Sequence, residues 1–275
     1  MNNQHFYTQD IQGETAFFSP EESNHITKTL RKKENDIIRF TDGAGGLYEG
    51  VITTANAGRT EVRLTKRHNG TVNTPPPMHI VVAPTKNMDR IEWFVEKAVE
   101  VGVTEISFIV TKNSERKILK TDRLKKIAIS AMKQSNQLFL PKINEIISLK
   151  EFLEKVREVD CDKFFGYCAG DFYSTTKIDI ETGEITTEKL GEPFFYSEAI
   201  NEDIPVIMLI GPEGDFTPEE AQICVENNFL PSVLTNTRLR TETAALMACW
   251  TYAEKRLTGM SIGDMLLEMG RDDEG

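Results

Sequence analysis

No stretch of this chain approaches the roughly 18 to 20 consecutive apolar residues that would cross a bilayer, and the 39% of hydrophobic residues are spread along its length. The expectation is a soluble protein with no membrane partner. The opening "MNNQHFYTQDIQGE" lacks the basic start, apolar middle and small-residue cleavage site of an export signal, so a cytoplasmic location is expected. Cysteine is scarce. Cys161, Cys168, Cys224 and Cys249 form no C-x-x-C pair and stand near no histidine cluster, which argues against a zinc site or any other metal centre, and against a disulfide framework. Buried, reduced thiols are the expected state.

A net charge of −11 would discourage nucleic-acid binding if it were spread evenly, but it is not. The balance is 0 over residues 1–74, +5 over 75–150 and −16 over 151–275. Within "KNSERKILKTDRLKK", Lys112 to Lys126, seven basic residues meet two acidic ones. That excess suits phosphate contacts, and equally suits a solvated helix face.

The length of 275 residues suggests two domains. The boundary falls at "NTPPPM", because Pro75, Pro76 and Pro77 can neither continue a helix nor donate within a sheet. Residues 1–74 show short β-rich runs at Ile37 to Phe40, Leu47 to Thr53 and Thr60 to Thr65, separated by "DGAGG" and "NAGR". They predict a small antiparallel barrel or sandwich. Ahead of them, Ser19 caps a short helix with Pro20 at its first position.

Residues 75–275 alternate strand and helix. "MHIVVAPT" reads as a buried strand, and Ile91, Phe94, Val95, Ala98 and Val99 form one stripe of a helix stopped near Gly102. "EISFIVT" follows as the next strand. Repeating this βαβ unit builds an α/β domain with a mostly parallel sheet. "DRLKKIAISAMKQSN" and "SLKEFLEKV" supply further helices, the latter capped by Ser148 with Glu151. "STTKIDIETGEITTEKL" alternates about Thr182–Gly183 and reads as an exposed hairpin insertion within 170–200.

The chemistry concentrates in "LIGPEGDFTPEE", Leu209 to Glu220. "PVIMLI" is a strand, and Thr217, Pro218 and Glu220 open a helix with a capping box. The intervening loop therefore sits at a strand's carboxyl end, where open α/β sheets place ligands. Without a lysine, and with Glu213 and Asp215 present, it is no triphosphate cradle. A neutral or cationic ligand, or one donating through ribose hydroxyls and an adenine amino group, suits it better. By its own spacing it is equally a plain connection. One strand later "NTRLRTETAALMACW" puts Arg238, Arg240 and Glu242 at a second strand-to-helix junction, either as an ion-pair network or as part of a site.

"LIGPEGDFTPEE" followed by "LRTETAA" resembles the paired C-terminal motifs of the SPOUT superfamily of RNA methyltransferases. Within it the chain is similar to the RsmE type, the ribosomal RNA small-subunit (uridine-N3) methyltransferases. "NHITKTLRKKENDIIRFTDGAGGLYEG" resembles that family's PUA-like β-barrel, "APTKNMDRIEWFVEKAVEVGVTEISFIVTKNSER" its first βαβ unit and "AISAMKQSNQLFLPKI" its central helix and exit. The match spans nearly the whole chain except the insertion near 170–200.

This resemblance implies a SPOUT-type α/β knot, with a C-terminal trefoil knot, after a PUA-like β-barrel. It also implies a homodimer that holds S-adenosyl-L-methionine and acts on ribosomal RNA within the assembled small subunit. The cofactor loops it implies are Pro84 and Thr85; Gly211, Pro212, Glu213 and Gly214; and Leu234 to Leu239 with Thr243. It makes Arg240 the group that orients the uracil and stabilises its developing charge, with Glu242 as a candidate base. Lys86, Arg90, Arg116, Lys117, Arg123 and Lys126 would meet phosphates, and His25, Arg31, Lys32 and Lys33 would extend the RNA surface. His25 taken alone reads as an ordinary surface histidine. The family usually carries a glycine where Asp215 stands and an arginine near Gln137. Action on transfer RNA, on a ribose 2′-hydroxyl, or as a non-catalytic RNA-binding assembly factor are the competing readings.

Overall fold

The structure, a computed structural model, describes residues 5–68, 76–167, 175–178, 185–188, 194–201 and 203–258, with backbone alone for 175–178 and 185–188. It divides into two compact units, Met1–Thr74 with Lys126–Leu140, and Pro75–Lys125 with Pro141–Gly259. Residues 126–140, placed by sequence within a continuous second domain, thus belong with the first unit. The physical reason is a set of hydrogen bonds to residues 41–45 of that unit. Gly45 N donates to Leu138 O at 3.0 Å, Leu140 N to Gly43 O at 2.8 Å, and the buried Thr41 hydroxyl to Leu138 O. The proline linker lies partly outside the described residues.

The first unit is a six-stranded sheet. Its strands are β1 (Phe6–Tyr7), β2 (Asp10–Gln12), β3 (Thr15–Phe17), β4 (Ile37–Thr41), β5 (Leu47–Thr54) and β6 (Glu61–His68), in the order β1-β4-β5-β6-β3-β2. Every pairing is antiparallel except β1 with β4. The three first strands are too short for period-two alternation to reveal them. Their inward residues join Ile38, Phe40, Tyr48, Ile52 and Val62 in a core that includes Phe6, Ala16 and Phe18. Phe40 sits at its centre, edge-on to Phe18 and stacked on Tyr48, each at 5.3 Å. Helix α1 (Pro20–Asn24) starts where expected, the Ser19 hydroxyl accepting from Glu22 N at 3.3 Å. It continues as a π-helical turn, His25–Thr29, closed by Arg31 in the left-handed region.

The second unit is a seven-stranded, all-parallel sheet. Its strands are β7 (Met78–Val82), β8 (Glu105–Val110), β9 (Lys142–Ser148), β10 (Asp162–Gly166), β13 (Phe194–Phe195), β14 (Val206–Ile210) and β15 (Leu230–Val233), ordered β13-β15-β10-β14-β7-β8-β9. The central strands are buried on both faces, as the unbroken runs "VIMLI" and "MHIVV" require. Helices α2 (Met88–Val101), α4 (Leu149–Val156), α5 (Tyr196–Ala199) and α6 (Pro218–Glu226) connect them, α7 (Thr241–Thr258) follows the last strand, and α3 (Thr121–Gln134) begins in this unit and continues into residues grouped with the first. The predicted stripe of α2 is its buried face, and Gly102 ends it with φ of 95°. Strands β11 (Thr175–Ile178) and β12 (Ile185–Glu188) pair antiparallel, Ile178 opposite Ile185, as the alternation predicts. Strands β9 and β13 and helix α5 carry no clear period and escape a reading of the sequence.

Candidate active site

The carboxyl ends of β14, β10 and β15 meet at one edge of the sheet, and the loops leaving them surround a cavity of about 870 Å³. The loop after β14 is shaped by packing. The Phe216 side chain turns into the core, edge-on to Phe165 at 6.0 Å. A Cβ on Gly211 would meet the Phe216 ring at 3.1 Å, and one on Gly214 would meet Asn113 Cβ at 3.1 Å. The two glycines are therefore favoured by close approach, not by unusual dihedrals. Asp215 carries the dihedral strain: its φ is 60°, the left-handed region that glycine tolerates best. Its N–H closes the turn on Pro212 O at 2.9 Å, and its carboxylate accepts from Phe216 N at 2.8 Å. Asp215 is thus a turn residue ahead of the helix cap.

That cap is Thr217. Its hydroxyl accepts from Glu220 N, and Glu220 returns a carboxylate oxygen to Thr217 N at 3.0 Å, a complete capping box. The other Glu220 oxygen accepts from Lys112 N at 2.7 Å, and the Asn113 amide donates to Gly214 O and Asp215 O. The loop is thereby pinned on one side to the turn after β8. On the other side it is pinned to the second motif. Arg238 donates to Glu213 O at 3.2 Å, and the buried Thr241 hydroxyl, at the start of α7, donates to Gly211 O at 3.1 Å.

Between β15 and α7, the backbone groups of residues 234–239 make no backbone hydrogen bond with any described residue. Peptide groups left in this condition at a concave wall are available to a ligand. The rest of the lining combines Gly166, Tyr167, Ile210 and Ser232 with the carboxylates of Glu213 and Asp215 and the guanidinium of Arg240. A lining that combines apolar residues, the peptide groups of residues 234–239 and the acidic Glu213 and Asp215 suits a flat purine nucleoside bearing a positive charge.

The cavity gathers Gly211, Pro212, Glu213, Leu234, Leu239 and Arg240 from the residues singled out in the sequence. Pro84, Thr85, Gly214, Thr243 and Glu242 do not line it. Thr85 is buried and its hydroxyl donates to Asn87 O, shaping the entry to α2. Glu242 is 6% exposed, with Oε1 3.7 Å from Arg90 Nε and Oε2 without a hydrogen-bond partner. Its place between α2 and α7 is that of an ion-pair partner. Gly166 and Tyr167, at the end of β10, were not singled out. Only the strand order, which puts β10 between β14 and β15, shows that they share the edge.

The basic residues are largely committed. In the second unit, Lys86 pairs with Glu115 at 3.2 Å, Arg90 with Glu242 and Arg123 with Glu92 at 2.6 Å. Arg116 donates to the carbonyls of Thr85 and Lys86, while Lys117 is exposed. In the first unit, Lys126 pairs with Glu21 at 3.3 Å, Arg31 and Lys33 are exposed, and Lys32 is half-buried. His25 lies edge-on to Phe6 at 5.8 Å and lines, with Lys126, a second cleft of about 1160 Å³. Among the described residues no group of three or more His, Cys, Asp or Glu could hold a metal ion. Cys224 and Cys249 are buried and Cys161 is half-buried, all as free thiols, while Cys168 lies outside the described residues.

A model of the RNA methyltransferase domain matches residues 73–252, and one of the RNA methyltransferase PUA domain matches residues 18–65. The chain belongs to this RNA methyltransferase family. Among curated relatives it is similar to ribosomal RNA small subunit methyltransferase E of Rickettsia conorii, 28% identical over 237 residues and covering 86% of each chain. A probable rRNA-methyltransferase from Porphyromonas gingivalis superposes with a TM-score of 0.79 at 31% identity, over 94% of this chain and 100% of that one. Ribosomal RNA small subunit methyltransferase E from Neisseria gonorrhoeae, solved bound to S-adenosyl methionine, gives a TM-score of 0.67 at 25% identity, over 90% and 94%. Within this family of methyltransferases, a parallel α/β sheet with ligand loops at its carboxyl edge, and a separate PUA-like β unit, are the parts this chain displays.

Proposed function

We propose that this chain transfers the methyl group of S-adenosylmethionine to N3 of a uridine in small-subunit ribosomal RNA. The observation that carries the reading is the cavity at the carboxyl edge, whose lining brings residues 234–239 together with Glu213, Asp215 and Arg240. When bound, S-adenosylmethionine supplies an electrophilic methyl on a sulfonium centre. Uridine N3 is an imide whose proton must leave, so negative charge develops on the flanking carbonyl oxygens. A guanidinium offers those acceptors a matched fork. Arg240 is exposed at the cavity wall, and its carbonyl accepts Ala244 N at 2.8 Å, so the first turn of α7 holds its backbone. Orientation in a water-poor cavity can contribute about 7 to 11 kcal/mol to such a transfer. Glu242, buried against Arg90, supports a positioning role at the α2–α7 contact.

The knot and the homodimer belong to the same proposal. Contacts that bind Arg238 to Glu213 and Thr241 to Gly211 hold the loop before α7 against the loop after β14, as a threaded crossing would. Trp93 of α2 and Trp250 of α7 are 43% and 55% exposed, which suits a face covered by a second copy. Ribosomal RNA as substrate, within the assembled subunit, implies action in the cytoplasm. No helix among the described residues is long and apolar enough to cross a membrane.

The test is incubation with labelled S-adenosylmethionine and unmodified small subunits, naked ribosomal RNA or transfer RNA, with nucleoside mass spectrometry as readout. N3-methyluridine in the small-subunit RNA is expected. A methylated ribose, or product in transfer RNA alone, would replace this reading. Arg240→Ala should lower methyl transfer at least about 100-fold, the loss seen on removing one transition-state donor, while calorimetric cofactor binding persists.

A further inference from the structure

The second cleft, of about 1160 Å³, is lined only by residues of the first unit. Its walls come from β1 at Tyr7, β3 at Phe17, the π-helical turn that opens at His25, the β5–β6 loop at Arg59, and residues 126–136. The charges in it cancel. Arg59 pairs with Asp10 at 3.6 Å, Lys126 with Glu21 at 3.3 Å and Lys133 with Glu22, and all six line the cleft. Three cations meet three carboxylates, so none is left over for a phosphate.

The uncharged polar side chains are in the opposite condition. No hydrogen bond joins the side chain of His25, Gln134 or Asn136 to another described residue, and all three line the cleft. Two amides and an imidazole present donors and acceptors together, the combination that meets the edge of a nucleobase. The same cleft holds a flat surface. The Arg59 guanidinium lies 4.4 Å over the Phe17 ring, and its side chain is 58% exposed. Asn56 fixes the loop that carries it, its side-chain oxygen accepting from Gly58 N at 2.7 Å and its carbonyl from Arg59 N at 3.1 Å. A guanidinium backed by one ring can take a second ring on its solvent side. His25 opens a π-helical turn, a local geometry found often at functional sites.

We propose that this cleft binds one unpaired RNA base, stacked on the Arg59 guanidinium and hydrogen-bonded along its edge by side chains drawn from His25, Gln134 and Asn136. This rests on the RNA methyltransferase reading above, and gives the first unit a contact to a base in place of a contact to phosphate.

The experiment uses the full chain and unmodified small-subunit ribosomal RNA. Filter binding over a range of salt concentrations, with S-adenosylhomocysteine present, compares wild type with Arg59→Ala, Arg59→Lys and Gln134→Ala/Asn136→Gly. Glycine serves at Asn136 because φ there is 56°. Equal melting temperatures show that each variant is folded. Arg59→Ala should raise Kd, and KM in methyl transfer, by about five- to a hundred-fold, and the double variant by about two- to tenfold. Lysine keeps the charge without the plane, so Arg59→Lys should bind as weakly as Arg59→Ala. The dependence of log Kd on log salt should keep its wild-type slope in every variant, whereas loss of a phosphate contact would reduce it by about one. Rescue by lysine, a slope reduced by about one, or an unchanged Kd in either Arg59→Ala or the double variant would overturn the base-binding cleft. If the wild type methylates small-subunit RNA while the variants bind it normally, the cleft alone is overturned. A wild-type chain that neither binds nor methylates RNA would overturn the underlying reading as well.

Discussion

Asp215, in the loop after β14, holds a left-handed backbone, and this permits a worked prediction. At φ of 60° a side chain costs energy that glycine does not pay, about 1 to 2 kcal/mol for alanine and less for aspartate. The Asp215 carboxylate offsets part of this by accepting Phe216 N at 2.8 Å, a bond of about 0.5 to 1.5 kcal/mol. Asp215→Gly relieves the strain but loses the bond and adds about 0.4 to 1 kcal/mol of unfolded-state entropy, so losses of about 0.9 to 2.5 kcal/mol are partly offset and the net cost should be at most about 2 kcal/mol and below that of alanine. Asp215→Ala keeps the strain and loses the bond, and should cost about 1 to 2.5 kcal/mol. Asp215→Asn, which keeps an acceptor and tolerates the left-handed region, should lie within about 0.5 kcal/mol of wild type. Urea denaturation of the three variants gives the ranking, and calorimetry with S-adenosylmethionine reports whether the loop keeps its shape. An alanine variant as stable as the glycine variant would refute the strain argument.

Arg90→Met leaves the buried Glu242 carboxylate without its cation. Breaking a buried pair costs about 3 to 5 kcal/mol, and because Arg90 is 37% exposed the expected loss is about 1 to 3 kcal/mol by urea denaturation, against less for Glu242→Gln; equal stability of Arg90→Met and wild type would discard the pairing. At the amino ends of β7, β8 and β9, the His79 ring bonds to the Ser107 hydroxyl at 2.7 Å, and the Asn144 amide donates to that hydroxyl and to Glu105. Burial pushes His79 down to about 4, against the raising effect of Glu105. Because the folded ring resists protonation, its contribution is intact above about pH 6.5 and is lost as pH falls toward 4, by about 3 kcal/mol at about 1.4 kcal/mol per pH unit. His79→Gln should flatten the stability profile in that window, and an unaltered slope would contradict it. Buried thiols hold a related expectation: burial pushes Cys224 up to about 12 and Cys249 higher still, so maleimide should label neither before denaturation.

What could be read from residues alone was what is local. Caps at Ser19, Ser148 and Thr217, the stop at Gly102, the all-buried runs of β7 and β14 and the stripe of α2 depend on neighbours within a few positions, and each appears where its spacing puts it. The paired motifs at 209–220 and 239–245 likewise carried enough type and order to indicate a family. Tertiary structure decided whatever depends on which strands are adjacent. It put Gly166 and Tyr167 in the cavity, because β10 lies between β14 and β15, and it set Glu242 beside Arg90 of α2, a pairing between segments far apart in the chain. It also assigned residues 126–140 to the first unit through backbone bonds that leave no mark on side-chain pattern. Sequence records the period of each element, whereas strand order and register are set by non-local burial and hydrogen bonding, and those select the residues that share one edge of the sheet.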